Sequence, residues 1–442
     1  MRINLTDNNI GQPDAGTFQR NDVAELFPIA DKTIAELCRE NENLLIFPFS
    51  IETSDDRIGE SSVMNILNTD DPDKVRISTG NVMGFIGVGN LQIKIKSRFD
   101  TGRDDFLLHY MLQKVLSFNL FDLSHNNEQE DVFDFIMFMF PYFLKSALRQ
   151  GVYREYQNYR HNDANLKGTI DIGRHIARNI PFVGNIAYST REYSHDNNMT
   201  ELIRHTIEFM KTKKYGQSVL NIDKETVENV NTIIEHTPLY SKNDRSSIMS
   251  KNLRMKIHPY YTEYRPLQTL CMQILRMEEV KYGESDDEIC GILFDGAWLW
   301  EEYVNTILSD MGFIHPENKL HKGGIYLFDD HSGVRYPDFY KDNFVLDAKY
   351  KRLGSYDKVS KVDRDDVHQV IAYINALHAT RGGFVAPLEK KQAKVPTSRL
   401  KDSTSTLSIF GIEISKTASS YADFCEKMKG MEKAFVESLS LK

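Results

Sequence analysis

Cysteine is scarce in this 442-residue chain, and its four copies (Cys38, Cys271, Cys290 and Cys425) are widely separated, with no CxxC spacing. That pattern excludes a disulfide scaffold and a cysteine zinc site, and it fits a reducing compartment. Long apolar runs are missing as well. The most apolar stretch, FIMFMFPYFL from Phe135, is far shorter than the ~20 residues of a spanning helix and contains Pro141. The amino terminus, MRINLTDNNIGQPDAG, lacks the apolar core of a signal peptide, so no membrane contact and a cytoplasmic location are expected. Positive charge is not in excess: 54 Lys+Arg against 63 Asp+Glu give a net charge of -9. A surface wholly coated in positive potential is thereby excluded, although a local basic groove is not. Several motifs are also absent. No GxxxxGK[ST] loop, GxSxG elbow or HExxH helix occurs, and His161, His175, His195 and His205 show no metal-ligand spacing. Gly87-Val88-Gly89 is too short for a dinucleotide fingerprint and reads as a turn between strands.

What is present is an ordinary globular balance, 41% hydrophobic and 26% charged, in a chain long enough for two or three domains. The fold class expected is α+β, or mixed. Residues 1–100 read as a β-rich domain, with LLIFPF near 44–49 and period-2 alternation in LQIKIKSRF, where Leu91, Ile93 and Ile95 alternate with Gln92, Lys94 and Lys96. Residues 101–290 read as mainly helical, from DDFLLHYMLQKVLSF and EDVFDFIMFMFPYFLKSALRQG, which Gly151 stops, to the helix over 262–280. Strand-like pieces interrupt it over 153–193, and the acidic run ESDDE at 284–288 marks a linker. Residues 291–442 read as α-β-β-β-α-β-β-α, a mixed sheet flanked by helices.

The chemistry concentrates in YPDFYKDNFVLDAKY, residues 336–350. A hairpin turning at Asp342-Asn343 pairs residues whose numbers sum to 685, which sets Asp338 opposite Asp347. Alternation puts Val345, Asp347, Lys349 and Lys351 on one face and Phe344, Leu346, Ala348 and Tyr350 on the other. Facing carboxylates repel, and a divalent cation would relieve the repulsion. Glu301 or Glu302 on the preceding helix offers a third carboxylate. Gln369 and Tyr373, four apart on the helix expected from about Asp365 to Ala379, can buttress the site. Asp363, Asp365 and Asp366 suit that helix's positive end. A solvated salt-bridge face is the bland alternative for a DxK strand.

Residues 295–415 resemble a PD-(D/E)xK nuclease domain, through Pro337-Asp338 and Asp347-Ala348-Lys349. More narrowly, VLDAKYK, HQVIAYINAL, NLKGTIDIGRHI (165–176) and the stretch from Tyr193 to Met210 resemble McrC, the nuclease subunit of McrBC-type modification-dependent restriction systems. The resemblance implies Asp338 and Asp347 as metal ligands with Glu301 as the helical acid, Lys349 as the catalytic lysine, Gln369 as the helix glutamine, and Mg²⁺ (Mn²⁺ as substitute) as cofactor. It also implies DNA as substrate and a McrB-like AAA+ GTPase hexamer as partner, contacted by the amino-terminal region. Recognition of a modified base is expected in that partner, and a double-strand break needs two such sites, so self-association through the complex is expected.

Two other readings stay open: a regulatory adaptor of an AAA+ ring with a silent nuclease fold, and a stand-alone repair or junction nuclease. Among the remaining basic segments, VYREYQNYR (152–160) reads as a packed amphipathic segment, with base stacking or docking on the ring as the alternative. Lys94, Lys96 and Arg98 read as a solvated face. Lys349, Lys351, Arg352, Lys358 and Lys361 cluster where duplex phosphates would lie.

Overall fold

The computed structural model describes residues 2–10, 16–41, 44–48, 61–88, 91–99, 105–116, 130–213, 216–254, 258–281, 289–316 and 323–440. The chain makes two compact units, one of Met1–Leu123 with Ser285–Lys442 and one of Ser124–Glu284. This differs from the expected succession 1–100, 101–290 and 291–442. The first and last parts fold together, and the acidic run at 284–288 lies outside the described residues.

The first unit begins with β1 (Arg2–Thr6), β2 (Thr17–Gln19), α1 (Ile34–Glu40), β3 (Leu44–Phe47), β4 (Met64–Asn68), β5 (Lys74–Thr79), β6 (Val82–Val88), β7 (Leu91–Lys96) and α2 (Phe106–Leu116). The second unit holds α3 (Glu130–Arg149), β8 (Glu155–Asp163), β9 (Thr169–Ile170), α4 (Ile172–Asn179), β10 (Ile186–Ser194), α5 (Asn198–Lys211), α6 (Gly216–Leu220), α7 (Lys224–His236), α8 (Arg245–Lys251) and α9 (Tyr264–Lys281). It is mainly helical and also holds a small sheet ordered β8-β10-β9. There Tyr156 is exposed beside Tyr193, with the Arg191 guanidinium over its ring, while Tyr153 is buried.

The chain then returns to the first unit through β11 (Ile289–Asp295), α10 (Gly296–Leu308), β12 (Ile325–Tyr326), β13 (Val334–Arg335), β14 (Phe339–Lys341), β15 (Phe344–Ala348), α11 (Arg364–Ala376), β16 (Arg381–Leu388), β17 (Thr397–Arg399), β18 (Thr406–Glu413) and α12 (Tyr421–Ser440). Strand β11 completes a sheet ordered β1-β7-β6-β11-β3, antiparallel to β6 and parallel to β3. Gly84 makes that pairing possible. Its φ is +136°, and a Cβ there would lie 2.1 Å from the Ile292 carbonyl oxygen, so any side chain would push β11 off β6. Ile3, Leu5, Ile86, Ile93, Ile95 and Leu293 form this sheet's core with residues of α1 and of the sheet β2-β5-β4. The alternation in β7 appears as written, with Leu91, Ile93 and Ile95 buried.

The second large sheet of this unit is ordered β14-β15-β16-β18-β17, with β15, β16 and β18 parallel and both edge strands antiparallel. Helix α11 covers the face carrying Val345, Phe384 and Ile409 through Val370, Tyr373 and Ile374. Gly382 allows its close approach, since a Cβ there would stand 2.5 Å from Ile374 Cδ1. On the other face Phe344 meets Phe313 and Phe410, and Trp300 of α10 lies against Tyr350. Both faces are therefore buried and the strands read as near-continuous apolar runs.

The expected strand over 323–328 does not join this sheet. Its central residues form a two-stranded ribbon with β13. Pro337, which lacks an N–H, falls where VRYPDFY breaks into two strands.

Candidate active site

The β14–β15 pairing is Phe339↔Leu346, Tyr340↔Val345 and Lys341↔Phe344, the 685 register, with Asp342 in the left-handed region at φ 48°. Asp338 leaves the ladder just before β14, and its Oδ2 accepts the Ala348 N–H at 2.7 Å. It keeps some accessible surface although protein atoms crowd it. Asp347 is fully buried on the α11 face. Among the described residues its Oδ1 has no hydrogen-bond partner, and its Oδ2 meets the Lys349 ammonium at 2.8 Å as an ion pair.

Burial, reinforced by the Glu301 charge, pushes Asp338 up to about 8. Burial, reinforced by the Asp338 charge, pushes Asp347 up to about 7. Two like charges in one site favour a proton on the pair.

Lys349 is held three ways. Beyond Asp347, its Nζ lies 3.4 Å from Asp366 and donates to Gln369 Oε1 at 3.3 Å. Burial works against its charge, but Asp347 and Asp338 outweigh burial and raise it above the ordinary lysine range. Lys349 is therefore a cation here and not a base. Gln369 Nε2 donates to the Tyr373 hydroxyl at 2.9 Å, the i, i+4 contact read from the sequence.

Glu301 and Glu302 do not converge with the aspartates into a three-carboxylate cage. No group of three His, Cys, Asp or Glu able to hold a metal occurs among the described residues. Both glutamates sit beside His315, 3.9 and 3.8 Å from its Nε2. The ring stacks on Phe339, and Nδ1 donates to the Asp338 carbonyl oxygen at 2.7 Å, since a carbonyl can only accept. Burial opposes the imidazolium, but the glutamates and this bond prevail and raise His315 to about 9. Of the expected metal set, Asp338 and Asp347 lie together, and the Glu301 charge acts on Asp338.

Two residues of this site escaped the sequence reading. His315 belongs to no motif. Asp366 looked like a helix-end charge, yet it is buried and bridges Lys349 and Lys351, the latter at 2.6 Å. Arg98 also departs from expectation: it is half-buried and paired with buried Asp7 rather than solvated.

The orphaned Asp347 oxygen beside a second carboxylate fits a divalent cation of the Mg²⁺ type, which takes one or two carboxylates and fills its remaining positions with water and phosphate oxygens.

Fold and site together define a mixed α/β protein with a buried carboxylate–lysine centre at a sheet edge. A family model described as McrBC 5-methylcytosine restriction system component matches residues 77–387, and the chain belongs to that family. One solved structure with similarity is a refined half-complex from the tetradecameric assembly of Thermococcus gammatolerans McrB AAA+ hexamers with bound McrC. It shares 15% identity at TM-score 0.49, over 98% of this chain and 100% of that chain. The cryo-EM structure of the Thermococcus gammatolerans McrBC complex shares 16% identity at TM-score 0.32, over 70% and 87%. No curated protein matches. Among the described residues no helix is long and apolar enough to cross a membrane.

Proposed function

We propose that this chain is the McrC-like subunit of its McrBC system, a PD-(D/E)xK endonuclease that hydrolyses DNA phosphodiesters with Mg²⁺ (or Mn²⁺). The carrying observation is Asp347, fully buried with an unpartnered oxygen, against Asp338 and Lys349. Asp338 and Asp347 would hold the cation. When bound, it supplies Lewis-acid charge at the phosphate and eases deprotonation of a water.

The side chains do the rest. Lys349, protonated throughout the working pH range, donates to the water or to a phosphate oxygen as negative charge develops. Gln369 and Asp366 fix the ammonium from the α11 side, and Tyr373 fixes Gln369. The chain carries no phosphate-binding loop for nucleotide hydrolysis, so a separate AAA+ GTPase hexamer supplies the energy.

The test is cleavage of duplex DNA by the chain with its companion GTPase and Mg²⁺. Asp347→Asn brings cutting to background, and Lys349→Gln lowers it by about 10²–10³-fold, the scale for losing one preorganised charge donor. GTP turnover by the companion is retained in both. Undiminished cutting by Asp347→Asn overturns the site. GTPase stimulation by a wild-type chain that cuts nothing would favour the adaptor reading, which the long amino-terminal portion and the net charge of -9 motivate.

A further inference from the structure

Beside the catalytic strand, a cavity of about 320 Å³ is lined by Thr6 at the end of β1, by Asp7, Asn8, Asn9 and Ile10 after it, by Arg98 after β7, and by Lys351 and Arg352, the Asp7 carboxylate being already paired with Arg98. Three cationic side chains from segments far apart in the sequence thus converge two and three residues beyond Lys349. Arg98 forms the fixed wall. Its guanidinium is paired with Asp7, donates to the Tyr350 carbonyl oxygen at 3.0 Å and to Asn81, and lies 4.6 Å over the Tyr350 ring. Its own carbonyl oxygen accepts from Arg352 at 3.1 Å. Asn8, at φ 48°, and Asn9 are held there by backbone bonds to Gly80 and Thr79.

Lys351 and Arg352 are the exposed walls. Their side chains are 51% and 61% exposed, and each has a carboxylate partner, Asp366 at 2.6 Å and Glu389 at 3.1 Å. The Arg352–Glu389 pair is exposed on both sides and is worth about 0.2–1 kcal/mol, so Arg352 can turn to another anion at little cost. Asp366 is buried and keeps Lys349 as a partner when Lys351 turns away. Phosphate oxygens are better partners, because they offer charge-assisted bonds to both cations at once.

We propose that this cavity binds a backbone phosphate of the DNA strand, next to the phosphodiester being cut. The amino-terminal region then builds part of the substrate site, in addition to any contact with a partner subunit. The site rests on the nuclease reading for its substrate, but its test does not depend on cleavage.

The probe is a fluorescein-labelled 20-base-pair duplex, titrated against the full chain carrying Asp347→Asn, with anisotropy read from 50 to 200 mM salt. Adding Lys351→Gln and Arg352→Gln lowers the slope of log K against log salt by about 2, and weakens binding by about 10-fold or more at the lower salt. Asn9→Ala weakens binding with the slope kept, because it removes a neutral contact. Circular dichroism and melting of each variant check that the fold is intact. An unchanged slope in the Lys351→Gln/Arg352→Gln chain overturns the proposal, as does a background chain that binds no duplex at 50 mM salt. The two readings separate. If wild-type protein cuts and the pocket variant binds normally, the pocket falls alone. If the pocket variant loses binding while wild-type protein never cuts, the nuclease reading falls alone.

Discussion

Two carboxylates crowded into one buried site must give up a charge or gain a cation, and Asp338 and Asp347 face that choice near neutrality. Their folded-state values, about 8 and about 7, lie above the unfolded value of 3.8. Between about pH 4 and pH 8 the folded chain therefore holds protons that the unfolded chain has released. The associated stability is complete below pH 4 and is lost as pH rises through 7 and 8. His315, raised from 6.5 to about 9, acts in the same direction between those values. Chelator-treated protein should thus melt at progressively lower temperature from pH 6 to pH 9. Mg²⁺ should raise the melting temperature more at pH 8.5 than at pH 6, because it replaces the lost protons. The Asp338→Asn/Asp347→Asn chain should show a shallower decline and little Mg²⁺ response. An equally steep decline in that double variant would remove these two carboxylates as the cause.

Among the elements, the hairpin was legible and its surroundings were not. Asp342-Asn343 fixes the turn, the turn fixes the register, and the register carries Asp338, Asp347 and Lys349 to one place. Local chemistry decides all of this. Asp366 was legible only as a charge suited to a helix start, because nothing local tells which cations lie across from it. Arg98 fits a solvated alternation equally well on paper. Period 2 gives the direction of a side chain but not what lies over that face, and here Asp7 and Tyr350 do. The ribbon of β12 and β13 was missed because Pro337 divides a run that otherwise reads as one strand. The seat of α11 yields a prediction at this scale. Gly382→Ala puts a methyl 2.5 Å from Ile374 Cδ1, so the side chain must shift and the helix lifts. A loss of about 1–3 kcal/mol is expected from such overpacking, measured by denaturant unfolding. Cleavage should fall with it, since Asp366 and Gln369 ride on α11. Unchanged stability would show that Ile374 has room to turn away.

At the scale of the whole molecule, the second unit is an insertion within the sequence of the first. Cutting the chain at its first hundred residues, or at residue 290, would divide a sheet rather than separate domains. A chain ending at residue 281 should therefore give proteolysis-resistant material only from the second unit, as read by mass spectrometry after limited digestion. A protected fragment within residues 1–123 would contradict this. Strand β11 sits between β3 and β6, hundreds of residues away in sequence from both. During synthesis, β3 and β6 must wait with open edges while some two hundred further residues emerge, and the inserted unit has time to fold first. The nascent chain thus passes through a stage at which its amino-terminal strands are exposed templates for foreign pairing. Chaperone demand should accordingly be greatest before residue 295 leaves the ribosome, and Asp338, Asp347 and Lys349, which lie later still in the chain, can come together only after that stage has passed.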